Sequence, residues 1–451
     1  MVFFGLLLLN IFNLTIEQVS FLFVSIIPMK QSTKHIVVVG GGFAGLNIVM
    51  QLQNKPGITA TLIDINNYNF FPPLLYQVAT GFLEPSAISY PFRRFLRNRS
   101  NITFRMAELK KIVPEENKII LSNGALQYDV LVICTGAESN YFGMENVKRN
   151  SIPMKTMSDA LAMRNILLQR LEEATRVSDI EEKKKLITIV VAGAGPTGVE
   201  LSGMFAEMRK NIIQKDYPEL SGRGLGEIYL IDGAPAVLAP MSEKSQRYTY
   251  KSLEELGVKI KLNVNVKDFA DDAVHLSDGT IIPTKNLIWA AGVAAKVFEG
   301  IPQESHGRGK RLITDEYNKV KGFDNIYALG DTSFQTHDPA FPSGHPQVAQ
   351  VAIQQAQNLG ENLLRPQSGW HPFVYNDKGS MAIIGRNKAV ADISAKTHFN
   401  GFFAWLVWLF IHVMSLLNYR NRLRTLYNWV GAYFSKDQAF RMIIRPDERD
   451  D

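Results

Sequence analysis

Two spacings of apolar residues take turns along this chain, one of strands and one of helices. Ile36-Val-Val-Val39 is an unbroken run of β-branched residues and reads as a strand buried on both faces. Leu46 to Met50 continues as a helix, and Thr61-Leu-Ile-Asp64 is the next strand. Ile102–Phe104 and Lys118–Leu121 are shorter strands, the second closed by the turn Ser122-Asn-Gly124. Tyr128 to Ile133 is again buried and runs into Cys134-Thr135-Gly136. From Asn66 to Arg99 the periodicity breaks. There the aromatic and proline-rich Tyr68–Gly81 predicts an ordered loop with a short helix, and Phe92–Arg97 a basic helical turn. Residues 155–185 predict a charged helical connector. The opening pattern then returns, with strand Leu186–Val191, helix Val199–Ala206 and strand Glu227–Asp232. A buried strand follows at Leu287–Val293, a further strand at Asn325–Asp331, a helix from Val348 to Leu364, and strand-like runs around Met381–Ile384.

The turns between these strands and helices carry the chemistry. Gly40, Gly42 and Gly45 form G-x-G-x-x-G between the first strand and its helix. Such glycines permit a tight turn, close approach of a pyrophosphate, and close packing of helix on strand. The phosphates then lie at the positive end of the helix. Asp64 ends the next strand at the spacing of a carboxylate that holds ribose hydroxyls, about 20 residues on. Gly193, Gly195 and Gly198 repeat the motif, and Asp232 repeats the acid. The longer gap before Asp232 contains Pro218 and several glycines, so Lys215–Gly226 reads as an inserted loop. The chain is therefore α/β, with two Rossmann-like dinucleotide-binding domains. Two such sites suggest two cofactors that meet. Asp232, followed by Gly233 and Ala234 with no arginine, favours NADH over NADPH at the second. A flavin at the first is the economical hydride acceptor.

Composition narrows the options. The 451 residues are 46% hydrophobic and 20% charged, so the chain is globular with large cores. One cysteine excludes a disulfide, a dithiol reductase and a cysteine-dependent sulfide:quinone reductase. Cys134, in an apolar strand, and Trp289 read as core residues. The scattered histidines suggest no metal site. A net charge of +6 fits either nucleic acid or an anionic membrane until the charges are located. A nucleic-acid partner would need basic residues spread with exposed aromatics over the globular part, and none is expected. From Phe399 to Leu417 the chain is apolar and almost long enough to span a bilayer, yet it carries Asn400, His412 and two tryptophans. From Asn418 to Arg445, Arg420, Arg422, Arg424, Lys436, Arg441 and Arg445 face Asp437 alone, while Leu423, Leu426, Tyr427, Val430, Tyr433 and Phe434 recur at helical spacing. That pattern predicts helices lying on an anionic lipid surface; a helix pair packed on the globular core is the alternative. Residues 1–28 read as an apolar extension ahead of a start at Met29, or else as a second anchor.

Both glycine motifs, Cys134-Thr-Gly136, Trp289-Ala-Ala-Gly-Val293 and Tyr327-Ala-Leu-Gly-Asp331 resemble the two-dinucleotide-domain flavoprotein reductases. Pro72-Pro-Leu-Leu-Tyr-Gln-Val-Ala-Thr-Gly81, Ala349-Gln-Val-Ala-Ile-Gln354 and Gly401-Phe-Phe-Ala-Trp405 narrow the resemblance to the type II NADH dehydrogenases, single-subunit NADH:quinone oxidoreductases that do not pump protons. The resemblance implies non-covalent FAD on Gly40, Gly42, Gly45, Asp64, Gly330 and Asp331, with Thr135 and Gly136. It implies NADH on Gly193, Gly195, Gly198 and Asp232, with Gly292, and Glu200 where nicotinamide meets flavin. Gln350 and Gln354, four apart on one helix, should line the quinone side; Ile353 stands where some members carry histidine. Glu200 is also an acid that a helix dipole alone would favour. The implied place is peripheral, on the cytoplasmic side of the cell membrane, with a homodimer as a further implied state. The implied division is an extension at 1–32, a first FAD-binding segment at 33–150, an NADH-binding domain with connector at 151–285, a second FAD-binding segment at 286–395, and membrane association at 396–451. The alternatives are a soluble-carrier NADH reductase of the ferredoxin or rubredoxin type, which would not need the apolar tail, and a nucleic-acid-binding flavoprotein.

Overall fold

A computed structural model describes residues 33–220, 225–394, 397–435 and 440–444. The N-terminal extension expected at 1–32, residues 221–224 of the expected inserted loop, and Lys436, Asp437 and Arg445 of the tail lie outside the described residues. Strand β1 (Lys34–Val39) is followed by helix α1 (Phe43–Leu52), β2 (Ile58–Asp64), the aromatic excursion with α2 (Leu75–Ala79), β3 (Ile102–Met106), an antiparallel meander from Leu109 to Gln127, and β4 (Val130–Ile133). The chain then crosses to a second sheet. Here β5 (Ile152–Pro153) and helix α3 (Met157–Arg176) lead to β6 (Ile189–Ala192), α4 (Pro196–Met208), β7 (Ile228–Asp232), β8 (Val258–Leu262) and β9 (Asn286–Trp289). It returns with β10 (Ile326–Ala328) and α5 (Ala349–Leu363).

Both sheets are five-stranded and wholly parallel, in the orders β10-β4-β1-β2-β3 and β5-β9-β6-β7-β8. In each the glycine-motif strand is central, and the strand order reverses beside it, where open α/β sheets bind ligands. The unbroken apolar runs have a direct cause. Ile36 and Val38 pack towards α1 and α5, whereas Val37 and Val39 pack against the meander. Val191 and its neighbours divide in the same way between α4 and a second meander.

Two sequence boundaries are corrected. Strand β6 begins at Ile189 rather than Leu186, because Leu186 and Ile187 close a short helix, Ile180–Ile187, that buries both. The division expected at 285/286 falls too early: β9 pairs with β6, so Asn286–Trp289 belongs to the second sheet.

After α5 comes a three-stranded antiparallel sheet of β11 (Ser380–Gly385), β12 (Lys388–Ser394) and β13 (Thr397–Asn400), then α6 (Gly401–Ser415) and α7 (Tyr419–Ser435). The tail thus opens with a strand, and Phe399 lies in it. Among the described residues no helix is long and apolar enough to cross a membrane. The tail combines features of both expected readings. Ala404, Trp408, Thr425 and Trp429 are buried in the main core, while Phe403, Phe410, Tyr427 and Phe434 are each more than 60% exposed. His412 is neutral, since burial pushes it down to about 4, and its ring stacks on Trp408.

Candidate functional site

The two glycine turns are built alike. Gly40 and Gly193 have φ near +100°, and a Cβ at either would strike the carbonyl of Cys134 or of Ala290 on the neighbouring strand. A Cβ on Gly45 or Gly198 would collide with the carbonyl of Gly40 or Gly193. At Gly42 and Gly195 the space is open, and neither α1 nor α4 has a side-chain cap. Uncapped helix N–H groups facing free space are the setting a dinucleotide pyrophosphate requires. Each acid closes its own turn. Asp64 accepts from the N–H of Gly41 at 2.7 Å and of Asn66 at 2.7 Å. Asp232 accepts from the N–H groups of Ala194 and Ala234 in the same manner. Burial raises the Asp64 pKa, against the pull of those two N–H groups.

The ends of β4 and β10 complete the first site. The Thr332 hydroxyl lies 3.5 Å from that of Thr135 and donates to the Gly136 carbonyl at 3.4 Å. Gly330 packs against Ala352 of α5 and donates its N–H to the buried Gln355 carbonyl at 2.7 Å. Asp331 lies 3.9 Å from Lys155. The first-site residues Gly40, Gly42, Gly45, Asp64, Thr135, Gly136, Gly330 and Asp331 therefore converge on one end of one sheet. Gly292 sits beyond β9, where its carbonyl accepts from Asn140 in the link between the sheets. Cys134 is buried and its thiol is pushed up by burial, so it is inert.

A cavity of about 350 Å³ lies under α6 and α7. Its wall includes Glu200, Met204 and Glu207 from α4, Tyr76 and Gln77 from α2, and Ile383 to Arg386 from β11 and the turn beyond it. Its mouth is formed by Phe402, Leu406, Leu426, Val430 and Phe434, which also belong to the exposed apolar face of the tail. The wall is tight because Gly203 of α4 touches the Ile384 carbonyl; a Cβ there would collide with it. Glu200 is 8% exposed, and burial raises its pKa well above the usual carboxylate value. Glu207 is raised by the same cause and accepts from the Arg386 N–H at 2.5 Å. Trp429 of α7 donates to the Gln77 carbonyl at 2.7 Å, and the Gln77 amide donates to the Tyr76 hydroxyl at 2.9 Å.

Gln350 and Gln354 are placed elsewhere. Gln350 donates to the Gly379 carbonyl at 2.9 Å and accepts from the Lys378 N–H at 3.1 Å. Gln354 brackets the Asn376 backbone at 2.9 and 3.0 Å. Both amides hold the segment 375–379, and neither is among the residues that line this cavity. The tail cations are also partly spent: Arg424 bonds Ser86 and reaches Glu84, Arg422 bonds the Leu416 carbonyl, and Arg441 pairs with Asp216. Sequence reasoning missed Glu207, Gln355 and Trp429. Tyr76 and Gln77 stood inside a quoted motif without an assigned role. Glu207 was legible only as the seventh residue after Glu200, on the same helix face.

Residues 34–356 match the family model described as pyridine nucleotide-disulphide oxidoreductase, and residues 378–436 match the NDH2 C-terminal domain. The type II NADH:quinone oxidoreductase Ndh of Mycobacterium tuberculosis is 33% identical, over 89% of this chain and 88% of its own. Its paralogue NdhA, with the same description, is 34% identical over 91% and 89%. The structure of NDH2 from Plasmodium falciparum in complex with NADH shares the fold, with a TM-score of 0.83 at 22% identity over 92% of this chain and all of that one. With two nucleotide turns, a single buried cysteine and a matching C-terminal domain, the chain belongs to the type II NADH:quinone oxidoreductases.

Proposed function

We propose that this chain's NADH:quinone chemistry is organised along α4. The chain uses FAD, with NADH as its substrate. FAD would be held by Gly40, Gly42, Gly45 and Asp64, by Thr135 and Gly136, and by Gly330 and Asp331; bound there, it supplies the hydride-accepting and electron-passing chemistry. The uncapped start of α4 at Gly195, with Gly193, Gly198 and Asp232, would hold NADH, and Gly292 would flank it. The far face of the same helix presents Glu200 to the apolar cavity. One helix thus serves both substrates, and the cavity opens on the apolar tail surface from which a quinone arrives. That shared opening is the observation that carries the reading. Glu200, protonated and dry, is placed to give a proton to a quinone oxygen. Gln350 and Gln354 act by holding 375–379 beside α5, not by touching quinone.

The protein is membrane-associated. Because three of the described tail cations are engaged within the fold, apolar insertion by Phe403, Phe410, Tyr427 and Phe434 supplies most of the attachment, and exposed Arg420 adds attraction to anionic lipid. The cytoplasmic face is assigned because NADH is found there. The exposed apolar strip is given to lipid, so a homodimer would use another surface. The test is direct. Detergent-purified protein should show a flavin spectrum that NADH bleaches and a short-chain quinone restores; bleaching without restoration would leave the soluble-carrier reading.

A further inference from the structure

The reaction NADH + H⁺ + quinone → NAD⁺ + quinol draws one proton from water, yet the cavity is largely apolar and roofed by α6 and α7. Resting on the reading of this cavity as the quinone site, we propose that this proton enters at Glu207 and is passed inward through the Tyr76 hydroxyl to Glu200. All three side chains line the cavity. Glu200 is buried at the inner end of α4, and Glu207 is partly exposed two turns further out. Seven residues of helix span about 10 Å, too far for one proton hop. Tyr76 is 2% exposed and lies close enough to both acids to feel their charge.

The direction of transfer follows from one indole. Trp429 can only donate, so the Gln77 carbonyl must face it. The Gln77 amide then necessarily points at Tyr76, whose oxygen accepts. The Tyr76 hydrogen is left to give, and no described acceptor takes it. Burial beside two acids makes a free tyrosinate unfavourable, so Tyr76 gives its proton as it receives another. In sequence, Glu200 loses its proton to a quinone oxygen, Tyr76 reprotonates Glu200, Glu207 reprotonates Tyr76, and water reprotonates Glu207. No carrier changes overall, and both electrons come from NADH. Arg386 and Lys388 face Glu207 from the β11–β12 hairpin, and Lys210 from its own helix; these cations ease release of its proton towards the cavity.

The test uses the full chain in detergent with a short-chain benzoquinone, following the NADH and quinone half-reactions separately by stopped flow. Glu207→Gln and Tyr76→Phe should each slow the quinone half-reaction about 10-fold to 100-fold and leave the NADH half-reaction within twofold. The Glu207→Gln rate should fall with rising pH where the parent is flat, and millimolar imidazolium should restore it, while Glu207→Asp stays within about threefold of the parent. A Glu207→Gln protein that keeps the parental rate, or is slow but pH-flat and unrescued, overturns the relay. Should Glu207→Gln lose its flavin, Tyr76→Phe decides on rate alone, and an unchanged rate overturns the relay. Leu406→Trp at the mouth separates the two claims. It should raise the quinone KM about tenfold or more. An unchanged KM removes the cavity reading and the relay with it; a raised KM beside an unaffected Glu207→Gln removes only the relay.

Discussion

The repeated acids, Asp64 and Asp232, show how one side chain can hold a loop and stand ready for a ligand. Each carboxylate accepts two backbone N–H groups of its own turn. Charge-assisted bonds of this kind contribute about 1.5–3 kcal/mol each. Asp232→Ser should therefore raise the NADH KM about tenfold or more, and should raise the ratio of NADPH to NADH efficiency, measured from initial rates with both coenzymes. Equal use of both coenzymes by the parent would remove the assigned role of Asp232. Glu200 brings a pH dependence. Its folded pKa is raised, so the native chain holds a proton that the unfolded chain releases above about pH 4.5. Stability then falls as pH rises from there towards the folded pKa. Glu200→Gln should lessen that fall, read as a smaller loss of Tm as the pH is raised above about 4.5, while slowing quinone reduction. Cys134→Ser should bind FAD and turn over both substrates, because no thiol takes part; a variant with normal flavin but no turnover would contradict this.

Among the elements, α6 and α7 are neither a free anchor nor mere packing. Trp408 is fully buried in the main core, and its replacement by Ala should cost about 3–5 kcal/mol, seen as a large drop in Tm. Deleting everything from Gly401 onward exposes that core, so an aggregating protein is expected rather than a soluble enzyme. Phe403→Glu with Phe410→Glu and Tyr427→Glu, all on the exposed face, should instead release a folded flavoprotein that oxidises NADH with a water-soluble acceptor and fails with membrane quinone. Retention of that triple variant in the membrane pellet would place the anchor elsewhere. High salt should remove little of the parent, since most of the described tail cations bond within the fold.

For the molecule as a whole, the two parallel sheets meet through the link at Asn140–Phe142 and the return at Val293–Ala295, which pairs with Ala137–Ser139. Trp289 donates to the Asn140 carbonyl at 2.9 Å and stacks on Tyr141, so the crossing strands are held from the second sheet. Helix α4 then extends from the second nucleotide turn to the cavity under the tail helices, so both proposed substrate sites share one element. This arrangement explains why the antiparallel sheet β11–β13 belongs to the working enzyme. Its Ile384 carbonyl touches Gly203, the Arg386 N–H of its first hairpin binds Glu207, and α6 leaves directly from its last strand.

Features that depend on neighbours along the chain are legible in the amino-acid order. Glycine spacing, an acid at the end of a strand and apolar runs bounded by turns are local requirements of a βαβ nucleotide turn, so Gly40 to Gly45, Gly193 to Gly198, Asp64 and Asp232 could be read directly. The family resemblance came from the same local motifs. Only the tertiary structure decided what depends on residues distant in the chain. Gln350 and Gln354 carry a motif that suggests a ligand, yet the backbone of 375–379 consumes their hydrogen bonds. The arginines of α7 look like a lipid-binding face, yet Glu84, Ser86 and the Leu416 carbonyl claim two of them. Glu207 is not singled out by its neighbours along the chain; Arg386, far away in sequence, meets it at the cavity wall. Periodicity shows which face of a helix is buried; it does not show which partner folds back to cover that face.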